Sequence, residues 1–76
     1  MSDIKQHIEE LKKAAEAGDA AAQSQWGILL ATGDGVEADV QEGLTWLRRA
    51  AQQGEVDAMF NLGVILENGL GCEPVV

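Results

Sequence analysis

The chain has 76 residues and a mass of 8.1 kDa, which is one small domain (1–76) that buries only about 60% of the surface exposed on unfolding. Thirteen acidic against five basic residues give a net charge of −8, so charge opposes direct binding to nucleic acid or to an anionic membrane and favours a basic partner. No secretory signal and no apolar stretch near the roughly 20 residues of a membrane span is visible, so we expect a cytoplasmic protein.

The apolar pattern predicts four helices in chain order. Apolar residues recur at helical spacing between capping residues and glycines. Asp3, Asp19 and Asp39 are the predicted N-caps, and Gly18 and Gly54 are predicted to end the first and third helices. The predicted helices span about 3–17, 20–32, 40–53 and 56–68, and a C-terminal tail covers 69–76. The predicted fold class is therefore all-α.

An internal repeat relates the first two helices to the last two. When the sequence is shifted by 36 residues, 3–40 lies over 39–76 and 12 of the 38 pairs are identical. The chain is thus two copies of one unit. Gly27 and Gly63 fall in mid-helix at equivalent positions, where glycine costs about 1 kcal/mol relative to alanine. Repetition of that cost predicts close helix–helix contact at both glycines.

The repeated unit has a recognisable pattern. From Ala22 the first copy reads AQSQWGILLATGDGV, and from Ala58 the second reads AMFNLGVILENGLG. With Trp46 and the Arg-Ala-Ala that follows, this pattern resembles a Sel1-like repeat, a relative of the tetratricopeptide repeat, over essentially the whole chain. The resemblance implies an α-solenoid of about two repeats, with helices in the order B-A-B-A. Trp26 departs from the family pattern, which usually has Leu there, and Leu30 and Leu66 stand where Tyr is usual.

The two ends of the predicted solenoid differ. His7 and Glu10 stand where the B-helix pattern expects Ala and Trp, which is typical of a polar terminal cap. At the other end the sequence stops where the next B helix would begin. We therefore expect this end to be buried by self-association into a homo-oligomer, or the chain to be a piece of a longer array. The predicted self-association residues are Met59, Ile65, Leu70, Val75 and Val76.

We predict a protein-binding face on the two A helices, which are the second and fourth helices of the chain. This face lies opposite the apolar residues that point into the core. Related helical-repeat families hold peptides or partner proteins on this concave side, and the resemblance implies the same use here. An apolar spot with acidic edges suits a peptide with an apolar anchor and nearby Lys or Arg. The alternative is that Phe60 packs in the core. The predicted residues are Ser24, Ile28, Asp57, Phe60, Val64 and Glu67.

Few residues could carry chemistry. His7 and Cys72 are the only His and Cys, and the predicted helices place them at opposite ends. The acidic loop at 33–39 lacks the ligand spacing of a calcium loop. We therefore predict no catalytic residue, no metal and no cofactor. Cys72 is expected to be a small apolar loop residue, with an intermolecular disulfide as the alternative.

These observations predict a non-enzymatic protein–protein interaction module, an adaptor or scaffold whose partner is a protein or peptide. The alternative is a small acidic inhibitor or immunity-type protein that blocks a basic, nucleic-acid-handling partner by charge complementarity. The salt dependence of binding distinguishes the two, because charge complementarity is screened by salt.

Overall fold

The computed structural model describes the backbone of residues 2–67 and the side chains of residues 6–67. The four helices are α1 (Ser2–Glu16), α2 (Ala20–Thr32), α3 (Val40–Gln52) and α4 (Val56–Glu67). No strand occurs over 2–67, so the all-α prediction is confirmed. The bounds of α1 to α3 lie within one residue of those predicted. The predicted end of α4 at 68 and the tail 69–76 lie outside the described residues.

Two aspartates fix where α2 and α3 begin. The Asp19 carboxylate accepts a hydrogen bond of 3.2 Å from the Ala22 amide, and the Asp39 carboxylate accepts one of 3.1 Å from the Glu42 amide. Each satisfies an amide that the helix leaves unpaired in its first turn. The predicted cap at Asp3 is wrong, because α1 begins at Ser2 and Asp3 lies within its first turn.

The loop between α2 and α3 turns the chain back along α2. Gly33 ends α2 with φ of 73°, a left-handed conformation that glycine adopts readily, and its amide donates to the Leu29 carbonyl oxygen at 2.8 Å. The Asp39 amide then donates to the Leu30 carbonyl oxygen at 2.7 Å. These bonds tie the start of α3 to the end of α2, so the two helices run antiparallel.

Helix α2 occupies the centre of the array and contacts the other three helices, most extensively α3. One core cluster lies between α1 and α2 and contains Ala15, Ala22, Trp26 and Leu30. The other contains Ala31, Leu44, Leu47, Ala50, Ala58 and Ile65. Trp46 of α3 packs against the first cluster and so joins the two halves. The apolar stripes predicted from sequence therefore meet in two connected cores.

The backbones of α2 and α3 touch where two glycines cross. A β-carbon on Gly27 would lie 2.7 Å from the Gly43 carbonyl oxygen and 2.9 Å from Cγ of Leu47. A β-carbon on Gly43 would lie 2.6 Å from the Gly27 carbonyl oxygen. The prediction of close helix contact at Gly27 is correct, and this contact explains why a residue unfavourable in a helix stands there.

A buried glutamine ties three helices near this crossing. Gln23 of α2 donates from Nε2 to the Ala15 carbonyl oxygen of α1 at 3.1 Å. Its Oε1 accepts a hydrogen bond of 2.8 Å from Nε2 of Gln53, at the end of α3. Since Gln23 is only 6% exposed, both bonds satisfy polar atoms that burial would otherwise leave unpaired.

Candidate protein-binding site

One side of α4 carries apolar side chains that stay exposed among the described helices. Apolar groups of this size are usually buried, and an exposed group of them marks an interaction surface. Gly63 lies among them, and no described atom comes within 4 Å of the position its β-carbon would take. The exposed fractions are 72% for Val56, 50% for Met59, 70% for Phe60, 37% for Val64 and 38% for Leu66.

The internal repeat shows what covers the same side of α2. Under the 36-residue offset, Phe60 corresponds to Ser24 and Gly63 corresponds to Gly27. Ser24 is 3% exposed and Gly27 is in contact with α3, whereas Phe60 is 70% exposed. The side of α4 that is open among the described residues is thus equivalent to the side of α2 that holds a helix. We call this side, comprising Met59, Phe60, Gly63, Val64 and Glu67, the α4 face.

The surroundings of the α4 face are acidic. Glu55, Asp57 and Glu67 lie at its ends, and residues 50–67 include no Lys, Arg or His. Basic side chains lie elsewhere, as on α3, where the Arg49 guanidinium lies 4.9 Å from the centre of the Trp46 ring. Exposed apolar side chains and acidic side chains thus lie together on this side of α4.

Three of the predicted site residues are buried or half-buried in the structure. Ser24, predicted to be on the binding face, is buried on the side of α2 that packs against α3. Ile28 is half-buried and packs against the second core cluster. Ile65, predicted to be a self-association residue, is 9% exposed and belongs to that same cluster. The strip that α2 exposes consists instead of Ala21, Gln25 and Thr32.

The remaining predicted residues lie on or beside the α4 face, or beyond the described chain. Asp57, Phe60, Val64 and Glu67 are exposed together on α4, and Met59 lies next to them. Phe60 is exposed and lies outside both core clusters formed by the described residues. Leu70, Cys72, Val75 and Val76 lie outside the described residues. The mid-helix position of Gly63 predicted a helix contact there, but Gly63 was not among the predicted binding residues.

A second surface feature is a groove of about 340 Å³ between α1, α2 and the loop that follows α2. Ile8 and Leu11 on its α1 side correspond by the repeat to Leu44 and Leu47, which α2 and α4 bury. The groove is therefore the N-terminal counterpart of an interface between helices. It is lined by His7, Ile8, Leu11, Gln25, Ile28, Leu29, Asp34 and Gly35.

The described residues contain neither a metal-binding cluster nor a membrane-spanning helix. Nowhere in this part of the chain do three or more His, Cys, Asp or Glu side chains gather where they could hold a metal ion. None of α1 to α4 has the length and apolar character needed to cross a membrane.

Antiparallel helices that recur every 36 residues and share a continuous core define an α-helical repeat protein. The Sel1 repeat family matches residues 11–19, 20–55 and 56–76. This chain therefore belongs to the Sel1 repeat family, whose repeats generally mediate protein–protein interactions and are typically non-catalytic. The matched unit 20–55 comprises α2 and α3, and α4 begins the next unit. No curated protein and no solved structure matches the chain.

Proposed function

We propose that this chain is a non-catalytic adaptor that binds a basic segment of a partner protein on the α4 face. The observation that carries the proposal is the 70% exposure of Phe60, at a position where the first copy has a buried Ser24. Burial of a Phe side chain contributes roughly 1.5–3 kcal/mol, so Phe60 is suited to anchor a partner. Asp57 and Glu67 would select Lys or Arg beside the apolar contact.

A second copy of the chain is the competing occupant of this face. Symmetrical packing of α4 on α4 would bring Glu55, Asp57 and Glu67 of one copy towards the same carboxylates of the other, with no basic residue on either helix. Like charges placed together oppose association. Charge therefore favours a basic partner protein over a homo-oligomer held by α4.

Replacement of Phe60 by alanine tests the proposal. The probe is an array of peptides that carry one Leu or Phe flanked by Lys and Arg, and the control array has Gln in place of each basic residue. We expect Phe60→Ala to weaken binding to the basic peptides at least tenfold, which corresponds to about 1.4 kcal/mol. The melting temperature should change little, because the side chain is exposed.

Gln25→Ala is the matched control, since Gln25 lies on the exposed strip of α2 and not on α4. This variant should bind like the wild type. Loss of binding in Gln25→Ala with none in Phe60→Ala would place the site on the strip of α2 and contradict the proposal. Unfolding of Phe60→Ala, observed by circular dichroism, would assign Phe60 a structural role instead.

A further inference from the structure

The contact between α2 and α3 shows which kind of helix the α4 face is shaped to hold. At that contact, Gly27 and Gly43 let the two backbones meet, and neither position has room for a β-carbon. Leu47, one turn further along α3, packs beside Gly27, and its Cγ lies 2.9 Å from the position that a β-carbon on that glycine would take. The covering helix thus presents a glycine and, four residues later, a leucine.

Gly63 on α4 corresponds to Gly27 on α2, but no described residue lies close to it. A glycine weakens a helix relative to alanine, and close backbone approach explains that weakness at Gly27. No described atom comes near Gly63, so nothing within residues 2–67 explains it there. The adjacent Met59 and Phe60 add exposed apolar surface on the same side of the helix.

We infer that the α4 face accepts a helix of a partner protein, docked antiparallel on α4 as α3 docks on α2, with a glycine or alanine opposite Gly63. This inference rests on the proposed function and specifies the partner's conformation and sequence. The partner helix carries a large apolar residue about four positions after the small one, so that this residue packs beside Gly63 and Phe60.

The direction of the partner helix and the positions of its charged residues can also be specified. In the α2–α3 contact, Gly43 near the start of α3 lies beside Ala31, and Gln53 at its end bonds Gln23. By the repeat, these α2 positions are Glu67 and Met59 on α4. The positive N-terminal end of a partner helix would thus lie beside the Glu67 carboxylate, and its C-terminal end beside Met59 and the nearby Asp57. Lys or Arg in the last turn of the partner would pair with Asp57.

The chain's own α1 does not meet these requirements. Its residue equivalent to Gly43 is His7. A β-carbon at Gly43 would lie 2.6 Å from the Gly27 carbonyl oxygen and 2.9 Å from the Ala31 amide nitrogen, so an imidazole side chain has no space in this arrangement. His7 therefore excludes head-to-tail stacking of a second copy in this geometry, which favours a partner of different sequence over a second copy.

The test uses a helix-stabilised synthetic peptide with the α3 sequence, residues 39–53, bearing Asp39→Ser and Glu42→Lys to suit the acidic face. A second peptide also carries Gly43→Val. Binding to the full 76-residue chain is followed by NMR, with backbone amide shifts read residue by residue. We expect shifts at Met59, Phe60 and Gly63, at least tenfold weaker binding of the Gly43→Val peptide, and at least tenfold weaker binding to Gly63→Ala protein.

The variants separate failure of this inference from failure of the proposed function. Equal binding of both peptides to wild-type and Gly63→Ala protein, with loss in Phe60→Ala, would overturn the glycine-centred docking and leave Phe60 as an anchor. Shifts confined to α2, or no shifts on α4 at millimolar peptide, would overturn the inference as well. Unchanged binding of the peptide arrays in Phe60→Ala would instead overturn the proposed function.

Discussion

Gly27 and Gly63 show how one residue type at one repeat position has different consequences in two environments. At Gly27, any side chain would meet the backbone of α3, whereas no described atom lies near a β-carbon at Gly63. Sequence reasoning predicted contact at both, because both glycines weaken their helices equally. It was correct for Gly27, and for Gly63 no contact occurs within the described residues. A sequence alone does not show whether the neighbour of a small residue belongs to the same chain.

Alanine at these two positions should therefore have opposite effects on the free energy of unfolding. Gly27→Ala is expected to reduce it by about 1 kcal/mol, since an overpacking cost of about 1–3 kcal/mol outweighs a gain in helix propensity of up to about 1 kcal/mol. Gly63→Ala is expected to raise it by up to about 1 kcal/mol. Urea denaturation measures both values. Equal effects of the two substitutions would contradict the difference in packing.

At the scale of the helix, the local sequence predicted where each helix begins and ends more accurately than which of its faces is exposed. The aspartate caps and the glycines that follow each helix act within one turn, so α2 and α3 begin where the caps at Asp19 and Asp39 predict. The strip that α2 exposes is rotated by about 60° around the helix axis from the predicted face, at 100° per residue. Ser24 and Ile28 look polar or peripheral beside the Trp26 stripe, yet α2 has neighbours on two sides, and periodicity identified only one of them.

Loss of a cap should destabilise the chain by a predictable amount. Asp39→Ala removes the acceptor for the Glu42 amide and is expected to lower the free energy of unfolding by about 1 kcal/mol. For a domain of this size, that change corresponds to a fall in melting temperature of about 4–8 °C. Asp34→Ala is the matched control, because Asp34 lies in the same loop but follows the C-cap Gly33 of α2 and does not cap the start of α3. A similar loss in both variants would show that the effect is not one of capping.

At the scale of the whole molecule, the net charge of −8 determines how binding should respond to salt. A partner held on the α4 face by an apolar anchor should lose less than about tenfold in affinity between roughly 50 and 300 mM salt, because the anchor is not screened. An acidic inhibitor that acts by charge complementarity alone should lose affinity steeply over the same range. Titration of the basic peptides at the two salt concentrations distinguishes the adaptor from the inhibitor.

His7 on α1 and the exposed α4 face lie at opposite ends of the helical array, and together they predict how copies of the chain would assemble. His7→Gly removes the side chain that blocks stacking of α1 on the α4 face of another copy. A head-to-tail contact of this kind does not close on itself, so each added copy presents a new α4 face. We expect His7→Gly to form oligomers that grow with concentration in sedimentation velocity, and the added substitution Gly63→Val to suppress them. A monomeric His7→Gly at all concentrations would contradict this role of His7.

The central position of α2 has a consequence for the order in which the helices open. Amides of α2 exchange with solvent only when its contacts with α1, α3 and α4 are lost, so their hydrogen exchange should approach the rate set by global unfolding. Helix α4 contacts α3 and, to a smaller extent, α2, and can open while the glycine crossing between α2 and α3 stays intact. The helix that carries the exposed apolar face is thus among the least protected parts of the chain, and a bound partner would slow exchange first and most in α4.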